Sequence, residues 1–147
     1  MAGNFPLKTL VELAQQRSDS AARSLGALNA QGEETEKRLQ LLLRYREDYQ
    51  AQFRESVRSG MPSAGWRNFH EFLAKLDAAI ALQRELVAQA KLRTLVGQSE
   101  WQAQQCRLKS FNTLSARHLG AESSRAAKAE QREQDEHALK SFCRERE

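Results

Sequence analysis

The 147-residue chain is 29% charged, 40% hydrophobic and 7% aromatic, a balance with too few large apolar side chains for a dense layered core. Lys and Arg number 23 against 19 Asp and Glu, so the net charge is +4 with both signs interspersed, which argues against a strongly cationic nucleic-acid protein. No apolar run approaches the ~20 residues of a membrane-spanning helix. The stretch from Met1 to Thr9 lacks the basic start and apolar core of a signal peptide, so a cytoplasmic protein is expected. Two cysteines, Cys106 and Cys143, form neither a disulfide framework nor a paired ligand motif and read as reduced thiols.

Only Pro6 and Pro62 occur, leaving long stretches open to uninterrupted helix. Ala, Gln, Glu, Leu, Lys and Arg dominate and β-branched residues are few, so the expected fold class is all-α. Pro6 suits a first helical turn, and Thr9 with Glu12 has capping-box spacing. The one concentrated breaker is Ser59-Gly60-Met61-Pro62-Ser63-Ala64-Gly65, and Asn68 with Glu71 offers a second capping signal beyond it. The reading is a single coiled-coil hairpin over residues 1–147, with helix 1 at about 7–57, a turn at 58–65 and helix 2 at about 66–140. At 1.5 Å per residue these helices would be roughly 75 Å and 110 Å long.

A seam advancing by alternating four and three residues runs through helix 1 at Leu7, Val11, Ala14, Ser18, Ala21, Leu25, Leu28, Gly32, Thr35, Leu39, Leu42, Arg46, Tyr49, Phe53 and Ser56. In helix 2 it runs from Phe69 through Leu73, Leu76, Ile80, Gln83, Val87, Ala90, Thr94, Gly97, Trp101, Gln104 and Leu108 to Phe111, after which apolar positions thin out. The expected core is Leu25, Leu28, Leu39, Phe53, Phe69, Leu73, Ile80, Val87 and Trp101. A short turn makes the helices antiparallel, so Phe53 and Tyr49 should meet Phe69 and Leu73 beside it. The shorter helix 1 leaves the C-terminal third of helix 2 with little or no intramolecular partner, and from Arg117 onward seven basic residues balance seven acidic ones.

Beside the turn the sequence carries more apolar surface than one seam needs. Leu42, Tyr45 and Tyr49 form one stripe, and Phe72, Leu76, Ala79 and Gln83 form another, displaced by one residue from the seam. Aromatics at helical spacing commonly flank a wide coiled-coil contact. The functional reading is a partner-binding patch.

An enzyme is not expected, because two long helices supply no concave pocket and no phosphate loop, dinucleotide fingerprint or nucleophile motif is present. No catalytic, cofactor-binding or metal-binding residues are assigned: Glu133 and His137 share a helix face, but two ligands do not complete a zinc site. Nucleic-acid binding has one supporting feature, seven basic against four acidic residues over 61–116 together with Trp66 and Trp101. The positive charges do not align on one stripe, so no nucleic-acid partner is expected.

Several features follow one another in order along the chain: Leu10, Leu13, Asp19-Ser20-Ala21-Ala22 and Leu25, then Tyr45-x-x-x-Tyr49, then Trp66-x-x-Phe69-x-x-Phe72-Leu73-x-x-Leu76-x-x-Ala79-Ile80-x-x-Gln83. Trp101, Arg107-Leu108-Lys109, Leu114, Arg117 and the charged run from Lys128 to Ala138 follow. This ordered set resembles the FliJ family of flagellar type III export proteins, over essentially the whole chain.

The resemblance implies an antiparallel coiled coil similar to the central stalk of rotary ATPases. It implies binding to the flagellar export ATPase hexamer, to the cytoplasmic domain of the export-gate protein FlhA and to export chaperones, with membrane association only through those partners. The gate-binding residues it implies are Leu42, Tyr45, Tyr49, Phe72, Leu76, Ala79 and Gln83. Arg38, one turn before Leu42, departs from the amide expected there. The ATPase-binding end would be the segment around residues 7–25 with helix 2 from Trp101 onward. An injectisome stalk counterpart and a generic coiled-coil scaffold are the alternatives, separated by genomic neighbours and by light scattering.

Overall fold

A computed structural model describes residues 5–146. It consists of two helices, α1 (Phe5–Arg58) and α2 (Ser63–Glu145), packed against each other, and no strand occurs among the described residues. The fold class is therefore all-α, a helical hairpin. No helix among the described residues is long and apolar enough to cross a membrane.

The chain turns where the breaker residues stand. The Ser59 amide still bonds the Glu55 carbonyl at 3.2 Å, while the Gly60 amide reaches only back to Val57, also at 3.2 Å, so the last turn of α1 tightens. Gly60 then takes φ +87°, a left-handed conformation that side-chain-bearing residues rarely adopt, and ends the helix. The Pro62 carbonyl accepts hydrogen bonds from the amides of Gly65 at 3.0 Å and Trp66 at 3.3 Å, which starts α2 at Ser63. Proline thus sits just outside the helix, where its missing N–H costs nothing.

Two compact units divide the chain. The first, Asp19–Gln102, contains the turn. Its centre is a cluster of Leu39, Leu76, Ile80 and Val87, against which Leu42 and Leu43 pack. Toward the turn the seam becomes aromatic: the Phe53 and Phe69 rings stack 3.7 Å apart at 10°, and Tyr49 lies 5.1 Å from Phe69 at 12°. Leu73, between this aromatic layer and the central cluster, is half-buried, and so, away from the turn, are Leu25, Leu28 and Trp101. A Cβ placed on Gly97 would stand only 2.7 Å from the Leu28 Cδ1 atom and 3.5 Å from that of Leu25, so leucines of α1 occupy the space that a side chain would need.

Polar groups in this unit are paired across the helices rather than left bare. The Gln83 side-chain amide donates to the Thr35 carbonyl at 2.9 Å, and the Arg46 Nε donates to Asp77 Oδ1 at 2.6 Å. Thr35, Arg46 and Gln83 stand at non-apolar seam positions, and Asp77 flanks the seam beside Leu76. The bonds satisfy the polar groups and fix the register of one helix on the other.

The second unit joins Met1–Ser18 to Ala103–Glu147, of which residues 5–18 and 103–146 are described. Ala14, Ser18 and Leu108 are buried, and Gln105 Nε2 donates to Ser18 Oγ at 2.8 Å. Ser115, His118 and Glu122 are half-buried, with His118 Nε2 3.2 Å from Glu122 Oε1. From residue 123 to 146 every side chain is exposed, including Leu139 and Phe142, although α2 continues to Glu145. Cys106 and Cys143 are exposed free thiols.

Candidate docking surface

The two apolar stripes beside the turn lie within the Asp19–Gln102 unit, and their residues divide by how much of each side chain its own fold consumes. Leu76 is 8% exposed and belongs to the central cluster, and Leu42 packs against that cluster. Tyr49 is half-buried, its ring 4.4 Å from Phe72 as well as stacked on Phe69. Gln83 is half-buried and engaged by Thr35. Three residues remain open: Tyr45 is 60% exposed, Phe72 is 41% exposed, and Ala79 is exposed.

The stripe is thus a half-sunk aromatic ladder with two accessible rungs. Phe69 is buried, Tyr49 leans over it, and Phe72 presents the outer edge. Rings already held by their neighbours lose little side-chain freedom when a partner covers them, which favours their use as anchors.

Residues that the periodicity did not mark complete the surface. Leu41, Arg44, Asp48 and Gln52 line a shallow hollow with Tyr45 and Tyr49, and Leu41 is 55% exposed. Leu41 lies one residue before the Leu42 stripe, so a strict seam reading places it on the flank. On the other side the Arg46–Asp77 pair bridges the helices; both side chains are part-exposed, and the hydrogen bond and opposite charge of Asp77 raise Arg46 above its ordinary value. Arg46 occupies a seam position, and its partner Asp77 lies one residue beyond the seam position Leu76. Arg38 instead pairs along its own helix with Glu34 at 3.5 Å.

The surface offers aromatic and apolar contact framed by charges, suited to protein recognition. No group of three or more His, Cys, Asp or Glu side chains that could hold a metal occurs among the described residues.

The family described as "Flagellar FliJ protein" matches residues 3–147. The chain is similar to the Flagellar FliJ protein of Salmonella typhi, 28% identical over 144 residues that cover 98% of each chain. It is similar to that of Escherichia coli (strain K12) at 27% identity over 144 residues, again 98% of each. With the family match extending across nearly the whole helical hairpin, the chain belongs to the FliJ family of flagellar proteins.

Proposed function

We propose that this chain is a non-enzymatic component of the flagellar type III protein export apparatus, a stalk that binds and promotes the export ATPase ring and links it to the export gate. The observation that carries the reading is the family match over residues 3–147. It favours the flagellar system over the injectisome counterpart and over a generic scaffold. In this reading the protein works at the cytoplasmic face of the inner membrane, held there by partners, and also handles export chaperones.

The gate contact is assigned to the stripe of Leu42, Tyr45, Tyr49, Phe72, Leu76, Ala79 and Gln83, with roles that follow from exposure. Tyr45, Phe72 and Ala79 meet the FlhA cytoplasmic domain directly, while Tyr49, Leu76, Leu42 and Gln83 hold them in place. The ATPase contact is assigned to the segment around residues 7–25 and to α2 from Trp101 onward. Chemistry stays in the ATPase; this chain supplies binding energy at each contact and transmits force along continuous helices.

Tyr45→Ala combined with Phe72→Ala is expected to leave helix content unchanged, because neither side chain is buried. Loss of two exposed aromatic anchors, each worth on the order of 2 kcal/mol, should weaken affinity for the FlhA cytoplasmic domain by at least tenfold. Calorimetric titration of the two proteins reads the affinity directly. Unchanged affinity in a folded double variant would contradict the gate assignment.

A further inference from the structure

The turn end of the hairpin has a composition that neither the seam nor the aromatic stripe explains. Residues 54–67 hold Arg54, Arg58 and Arg67 against a single acid, Glu55, and so carry half of the chain's formal net charge of +4. All three arginines are exposed. Among the described residues, Arg58 alone of the three has a partner of opposite charge, Glu55 at 4.0 Å, with both side chains more than three-quarters exposed, so that pair leaves the guanidinium available.

The same end exposes large apolar side chains. Trp66 is 52% exposed and Val57 is 48% exposed, although the seam is already closed beneath them by the Phe53–Phe69 stack. The Trp66 indole meets the His70 ring edge-on at 3.9 Å, which holds it on the first turns of α2 without burying it. Met61, in the turn itself, is half-buried beside Gly65. An indole and aliphatic groups at the tip, beside three guanidinium groups and the two carboxylates of Glu55 and Glu71, match the layering of a bilayer surface. There, indole rings settle at headgroup depth and arginines pair with lipid phosphates.

We propose that the turn end of this hairpin binds an anionic lipid surface directly, with Trp66, Val57 and Met61 entering the headgroup region and Arg54, Arg58 and Arg67 pairing with lipid phosphates. Charge complementarity selects the occupant: the tip is cationic, and a neutral bilayer gives the arginines no net attraction. The interaction is reversible, because three cations and one indole give a modest partition coefficient. It does not depend on the export reading above, since it requires only this chain and lipid.

The full-length protein is mixed at low salt with vesicles of phosphatidylcholine alone or of phosphatidylcholine with phosphatidylglycerol. The expected result is co-sedimentation with the phosphatidylglycerol vesicles only, lost as salt is raised. In a Trp101→Phe background, where emission reports Trp66, binding should shift the emission to the blue. Trp66→Ala should lower the partition by about tenfold, as expected for an indole half removed from water. Changing all three arginines to glutamine should lower it by about a hundredfold, each cation contributing roughly fivefold. Absence of co-sedimentation, equal partition onto both vesicle types, or binding unaffected by both variants with normal circular dichroism would overturn the proposal. Retention on immobilised polyglutamate with the vesicles left free would overturn it in favour of an acidic protein partner.

Discussion

Phe69→Ala is expected to lower the unfolding free energy of the Asp19–Gln102 unit by about 3–5 kcal/mol, the cost of deleting a well-packed core aromatic. Phe69 is 6% exposed and meets three other rings, Phe53 at 3.7 Å, Tyr49 at 5.1 Å and, edge-on, His70 at 5.4 Å, so its removal opens the seam beside the turn and unseats the stacked Phe53 and Tyr49. A two-helix seam has few layers, and no third element can collapse into the gap. For a unit of this size the melting temperature should fall by at least ~12 °C. Thermal unfolding followed by circular dichroism measures it, and a loss below about 1 kcal/mol would show that the aromatic layer is not the anchor of the turn end. The same change should also weaken the docking surface, because Tyr49 and Phe72 share the ladder.

Glycine to leucine at two places is expected to act in opposite directions. Gly26 faces open space, with nothing within 4 Å of where a Cβ would stand, so Gly26→Leu gains helix propensity of up to ~1 kcal/mol without a clash. Gly97 faces Leu28 at 2.7 Å, so the leucine there gains the same propensity but must displace Leu28 and Leu25, an overpacking cost of about 1–3 kcal/mol and at the upper end for three further carbons. Urea unfolding of the two variants should differ by that overpacking cost, about 1–3 kcal/mol, with Gly97→Leu the less stable. Equal stabilities would mean that the helices separate freely at this point and that the glycine is not the site of close approach.

Much of the fold is legible in the sequence because one period controls it. The three-and-four steps from Leu7 to Phe53 fall on residues that the partner helix covers, and so do those from Phe69 to Phe111. Coverage then continues through Ser115, His118 and Glu122, beyond the point where apolar residues thin out. Those three side chains are polar, so an apolar pattern alone misses their coverage. Gly60 and Pro62 announce the turn because glycine alone reaches the positive φ of +87° without strain and proline lacks the N–H that a continuing helix needs.

The docking stripe is less legible. Its residues share a spacing, yet Leu76 is in the core while Tyr45, with the same period, is open. What separates them is the rotation of each helix about its own axis against the partner, a property of the pair. Cross-helix pairs such as Arg46–Asp77 and Gln83–Thr35 depend on register in the same way. Sequence spacing within one helix carries no record of it. The exposed end of α2 beyond Glu122 combines balanced charges with isolated large apolar residues, Leu139 and Phe142, and its circumstances follow from helix length alone.

The measurement that tests the central claim most directly is the ATP hydrolysis rate of the cognate flagellar export ATPase, titrated with this purified protein while hexamer formation is followed in the same samples. The stalk reading predicts a saturable rise in rate together with a growing hexamer fraction. Unchanged rate and unchanged assembly, with both proteins folded, would contradict it and leave a coiled-coil scaffold as the better account of this chain.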